Sequence, residues 1–167
     1  MIPVDAYPVT HPYSRVCTEL ACEFFAEGVP VPQGSHVAVG KKVLEDRKRR
    51  GRLKAWRAVI ANRAALAVRF VRPVLTGPCV LVCEFWVPRP PTHLKANGEL
   101  RKRAPQFPIF KPDLLKLIRP VEDSLTDARI WIDDSREIGV VGWAQFCKAD
   151  ETPGVRVEVW TTPREGA

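Results

Sequence analysis

Apolar and polar positions fall along the chain in patterns that mark out a small set of elements. Residues 21–27 (ACEFFAE) are short and aromatic enough for a strand, and they run into residues 28–34 (GVPVPQG), where glycines and prolines break regular structure. From 53 to 70, Leu53, Trp56, Val59, Ile60, Ala64, Ala67 and Phe70 recur at the spacing of one helix face. Lys54, Arg57, Arg63 and Arg69 fall largely elsewhere, so the pattern predicts an amphipathic helix with a basic exterior. Thr76-Gly77-Pro78 is a turn, and residues 79–87 (CVLVCEFWV) read as a mostly buried strand whose only charge is Glu84. Arg89-Pro90-Pro91 ends it, and the next roughly twenty residues carry several prolines and no period, which marks a mobile or functional loop.

Pro112 suits the first turn of a second helix, whose apolar face is Leu114, Leu117, Ile118, Val121 and Leu125. Pro120 lies inside that pattern, where it removes a hydrogen bond at a typical cost of ~3 kcal/mol and is expected to kink the helix. Residues 138–148 and 155–161 read as two strands around a turn at 149–154, the second with Val155, Val157 and Val159 on one face. Helices grouped between hairpin-like strands, without regular βαβ alternation, predict an α+β fold: one compact domain with a mixed or antiparallel sheet and two main helices. The expected limits are a loosely ordered segment at 1–18, the domain at 19–162 and a tail at 163–167.

Composition narrows the class. With 167 residues, of which 46% are hydrophobic, the chain can bury a core, which excludes wholesale disorder. No run approaches the ~18 apolar residues of a membrane span, and the N-terminus lacks the features of a secretory signal, so a cytoplasmic protein is expected. Five cysteines, at 17, 22, 79, 83 and 147, form no C-x-x-C pair and read as small buried hydrophobes rather than a disulfide framework or zinc ribbon. His11, His36 and His93 are too scattered to support a nucleophilic triad.

Charge adds a partner class. The net charge is +7, and between 41 and 54 lie eight basic residues (Lys41, Lys42, Arg47, Lys48, Arg49, Arg50, Arg52, Lys54) against only Glu45 and Asp46. A second basic stretch carries Arg89, Lys95, Arg101, Lys102, Arg103 and Lys111. Either run alone is commonly a solvated face; two in one small domain point toward an anion-binding surface. Carboxylates concentrate around the second helix at Asp113, Asp123, Asp127 and the pair Asp133-Asp134. Converging aspartates suit a hard cation such as Mg²⁺, although the same spacing also serves helix starts and solvated turns.

These residues carry a resemblance. Lys111-Pro112-Asp113-Leu114-Leu115-Lys116-Leu117-Ile118-Arg119, then Glu122-Asp123-Ser124-Leu125, then Trp131-Ile132-Asp133-Asp134-Ser135 resemble the signature of the RusA family of Holliday-junction resolvases, especially its phage-borne members. The family pattern is approximately K-P-D-x-D-K-L-x-R, then D-[AS]-L, then W or Y shortly before D-D. The similarity extends to residues 28–34, the basic segment, Lys54-Ala55-Trp56, residues 80–87, Arg89-Pro90-Pro91, Lys148 and Pro153-Gly154-Val155, about residues 21–160 in all.

The resemblance implies a RusA-like fold and a Mg²⁺-dependent endodeoxyribonuclease acting on four-way junctions or other branched DNA in recombination and repair. It further implies a homodimer, since paired nicks need two sites related by symmetry, working in bacterial or phage-infected host cytoplasm. By position, Asp113, Asp133 and Asp134 would be Mg²⁺ ligands and Arg119 would stabilise charge on the scissile phosphate, with Asp123 a secondary candidate. The expected DNA contacts are Lys41, Lys42, Arg47, Lys48, Arg49, Arg50, Lys111, Lys116 and Lys148.

One position departs from the pattern: Leu115 stands where the family has its second helix aspartate. At ~100° per residue Leu115 falls toward the polar side of the helix, so core packing does not demand a leucine there. Three readings follow: metal held by Asp113, Asp133 and Asp134 with reduced activity; compensation by Asp123 or Glu122; or a branched-DNA-binding protein without catalysis. A basic protein–protein adaptor is a further alternative.

Overall fold

The computed structural model describes residues 16–34, 38–39, 42–43, 47–68, 74–109, 111–148 and 150–163. In chain order the elements are β1 (Glu19–Glu27), β2 (Ala38–Val39), β3 (Lys42–Val43), α1 (Arg47–Val68), β4 (Cys79–Val87), α2 (Leu114–Asp127), β5 (Glu137–Phe146) and β6 (Gly154–Thr161). The architecture is α+β: a four-stranded mixed sheet of order β1-β6-β4-β5, two helices, and a short β2-β3 ribbon. Lys41, His36 and His11 lie outside the described residues, as do the side chains of Lys42, Arg47, Lys48 and Arg49.

Alternation along the strands builds the core. Cys22, Phe24 and Ala26 of β1 stand opposite Val159, Val157 and Val155 of β6, which stand opposite Leu81, Cys83 and Phe85 of β4; all are buried. This face packs with Trp56, Ile60 and Ala64 of α1 and with Leu117, Ile118, Val121 and Leu125 of α2. The intervening positions are more polar: Arg156 pairs with Glu23 at 2.6 Å and Glu158 at 3.1 Å, and Gln145 donates to Glu84 at 2.8 Å. A sheet with one covered face and one wetter face needs this period-2 pattern.

Three details differ from the sequence reading. The last two strands are not a hairpin, because β4 lies between them, antiparallel to β6 and parallel to β5, with α2 in the connection from β4 to β5. The residues explain the order: β6 has valines buried against strands on both sides, whereas β5 exposes Ile138 and Val140 and takes the edge. Secondly, α2 starts at Leu114, so Pro112 precedes the helix and Asp113 occupies the cap position with extended backbone. Thirdly, Cys17 belongs to the core, buried and with its thiol donating to the Pro78 carbonyl at 3.6 Å. α1 also begins at Arg47, so the basic run supplies its first turns.

Two glycines allow close approaches that locate the functional elements. A Cβ on Gly142 of β5 would stand 2.8 Å from Ile118 Cδ1, so the missing side chain lets α2 lie tightly on the edge strand. Gly28, at φ +143°, sits against the Trp56 ring and starts the 28–34 loop over α1. The long loop after β4 is pinned: Arg89 lies 4.3 Å over the Phe146 ring and donates to the Pro105 carbonyl at 2.8 Å, while His93 meets the same ring edge-on.

Candidate active site and basic surface

α2 carries most of the chemistry because its buried stripe fixes its rotation. With Leu117, Ile118, Val121 and Leu125 inside, Leu115 is 76% exposed and points away from the core, as the helix geometry predicts. Asp113 makes no capping hydrogen bond; its carboxylate pairs with Lys116 at 2.9 Å, and that bond holds its pKa below the ordinary aspartate range. Arg119 is exposed on the same helix.

The Asp133-Asp134 segment is placed by its neighbour. Trp131 is 1% exposed, its indole N–H donates to Thr126 Oγ1 at 2.8 Å, and the adjoining backbone pairs with Leu75. This anchor leaves Asp133 and Asp134 exposed in a short 3₁₀ turn packed near α2. Asp133 Oδ1 accepts the Ser135 N–H at 2.9 Å, which lowers the Asp133 pKa.

Asp134 draws two further carboxylates into the picture. Glu137, at the start of β5, has its pKa pushed up to about 8, first by burial and then by the charges of Glu122 and Asp134. Glu122 is raised likewise, by burial and then by Asp134, with Arg119 opposing. Glu137 Oε2 is buried without a hydrogen-bond partner. Glu122, Asp134 and Glu137, with Arg119 at hand, therefore form a negative cluster with one unsatisfied oxygen where α2, the 3₁₀ turn and β5 meet. Such hard oxygen donors fit Mg²⁺ chemically. Among the described residues no three His, Cys, Asp or Glu side chains already stand in a group that could hold a metal ion, so a cation would have to draw its ligands together.

The remaining candidates are distributed. Asp123 is engaged by Arg57 of α1 at 3.0 Å, and the same guanidinium reaches Asp127 at 2.6 Å, a clamp between the helices. Lys148 pairs with Glu151 at 3.4 Å, and Lys111 is exposed just ahead of α2. Arg50 is exposed on α1. The first turn of α1 contains no acidic residue and begins Arg47-Lys48-Arg49-Arg50. Cations at the positive end of a helix dipole are unfavourable until an anion neutralises them.

Glu137 was invisible to motif reading, because a lone glutamate before an apolar strand looks like a strand boundary. Its signal was proximity in sequence, three residues after Asp134. No family model matches the chain, and no curated protein matches it. No helix among the described residues is long and apolar enough to cross a membrane.

Proposed function

We propose that the chain is a RusA-like, Mg²⁺-dependent, structure-selective endonuclease that hydrolyses phosphodiester bonds at four-way junctions or other branched DNA. The observation that carries this reading is the gathering of Glu122 and Glu137 around Asp134, with Arg119 alongside, in a domain whose α1 begins with four consecutive basic residues. Glu122 and Glu137 supply, from neighbouring backbone, the acidity that Leu115 lacks. Asp134 is the shared ligand in this account; Asp133 and Asp113 flank it, and Asp113 becomes available when Lys116 turns to a DNA phosphate.

A divalent ion, when bound, supplies an acidified water and neutralises phosphate charge. Trp131 holds the Asp133-Asp134 segment in place, and Arg119 offers guanidinium donors to the charge that develops on the phosphate. The basic start of α1 orients the DNA backbone by charge. A second copy brings the second site needed for paired cuts, and the edge strand β5, with Ile138 and Val140 exposed, is the sheet edge open to it. The setting is the cytoplasm of a bacterium or phage-infected host.

A second reading, a branched-DNA-binding protein without catalysis, is favoured by the solvent-facing Leu115 and by the Lys116 ion pair that occupies Asp113. Incubation with a labelled four-way junction, with and without Mg²⁺, separates the two: cutting supports the first, binding without cutting the second.

A further inference from the structure

A cavity of about 480 Å³ opens between the 28–34 loop, α1 and the end of α2, lined by Gln33, Arg50, Leu53, Lys54, Ala58 and Ala61, with Arg57 and Asp127 beside them. That volume lies within the ~300–1,000 Å³ typical of small-ligand sites.

Its walls are built rather than incidental. Gln33 is held by its backbone N–H, which donates to the Lys116 carbonyl at 2.8 Å, and Arg57 is held by Asp123 and Asp127. The small side chains of Ala58 and Ala61, with Leu53, leave an apolar surface on a helix that is otherwise basic there. Three cations (Arg50, Lys54, Arg57) border it against one lining carboxylate, Asp127. Gln33 Oε1 is buried with no donor, an acceptor left unsatisfied within a lined cavity.

A fitting ligand is anionic at one point, flat and apolar over its body, and carries a hydrogen-bond donor for Gln33. We propose that the cavity takes one nucleotide of the DNA strand: its phosphate against Lys54 and Arg50, its base on Leu53, Ala58 and Ala61, and an amino edge donating to Gln33 Oε1. This rests on the DNA-binding reading above and adds a base-sized subsite to it. The Gln33–Lys116 bond joins the subsite to α2, so an occupied cavity fixes the strand relative to the candidate active site.

The test is titration of the isotope-labelled full chain with dCMP, deoxyribose 5-phosphate and inorganic phosphate at equal ionic strength, following the amides of Gln33, Lys54, Ala58 and Ala61. Saturable shifts at about fivefold or more lower concentration for dCMP than for deoxyribose 5-phosphate are expected. Ala61→Trp, which fills the cavity, should abolish the dCMP response. Gln33→Met should weaken dCMP about fivefold while leaving deoxyribose 5-phosphate unchanged, and it serves if the tryptophan variant fails to fold. Equal titration by all three ligands, or no loss in either folded variant, overturns the subsite. Junction binding in EDTA is measured alongside. A junction bound by a protein whose cavity ignores dCMP removes the subsite and leaves the DNA reading standing; a dCMP response without junction binding keeps the subsite and removes the branched-DNA reading.

Discussion

Gln33 donates its backbone N–H to the carbonyl oxygen of Lys116 at 2.8 Å, the α2 carbonyl that Pro120, four residues on, has no N–H to reach. The proline costs the helix one internal bond, and the loop supplies a donor in its place. α2 runs through Pro120 as one helix, with the proline buried and its own carbonyl accepting from Ser124 Oγ. Gln33→Pro should therefore leave the Lys116 carbonyl unpaired, at about 1 kcal/mol, and lower the thermal midpoint by about 2–4 °C for a chain of this size. Gln33→Ala, which keeps the N–H, should leave it unchanged; equal effects of the two would contradict the account.

pH dependence follows from Glu137. Its pKa is raised from 4.5 to about 8, so the folded state holds the proton more tightly than the unfolded state. The resulting stability is complete below about pH 4.5 and is lost as pH rises through about 8. In metal-free buffer the thermal midpoint should fall between pH 5 and 8.5, and Glu137→Gln should flatten that fall. Mg²⁺ should raise the native midpoint at pH 8.5 and leave that of the variant nearly unmoved. A native protein equally stable at both pH values would place Glu137 in a more open setting.

Much of this was legible beforehand because it is periodic. The α2 stripe, β4 and the valines of β6 follow from spacing, and the outward placement of Leu115 followed from the same stripe. Strand order was not legible, since the choice between a β5–β6 hairpin and insertion of β4 depends on which strand can bury both flanks. Glu122 was named as one substitute for the missing aspartate, whereas Glu137 required the β5 start to be brought beside α2. The engagement of Asp123 by Arg57 depends on how two helices pack, which no local pattern encodes.

Leu115→Asp tests the departure itself. The side chain is 76% exposed near the helix N-terminus, where a carboxylate is compatible with the dipole, so stability should change by no more than about 0.5 kcal/mol. Mg²⁺-dependent cleavage should rise. A folded variant that cuts no faster would mean that Leu115 does not limit the chemistry.

Salt dependence tests the basic start of α1. Junction affinity should fall with a log–log slope of about −0.9 per neutralised phosphate, and replacing Arg47, Lys48, Arg49 and Arg50 together with alanine should flatten it. An unchanged slope would remove this segment from the interface.

The most direct test of the central claim is cleavage of a labelled four-way junction by the native chain and by Asp134→Asn, each with Mg²⁺ and with EDTA. The account predicts paired strand cuts by the native chain in Mg²⁺ only, with Asp134→Asn binding the junction but leaving it intact. Cutting in EDTA, equal cutting by Asp134→Asn, or tight binding with no cutting by the native chain would contradict it.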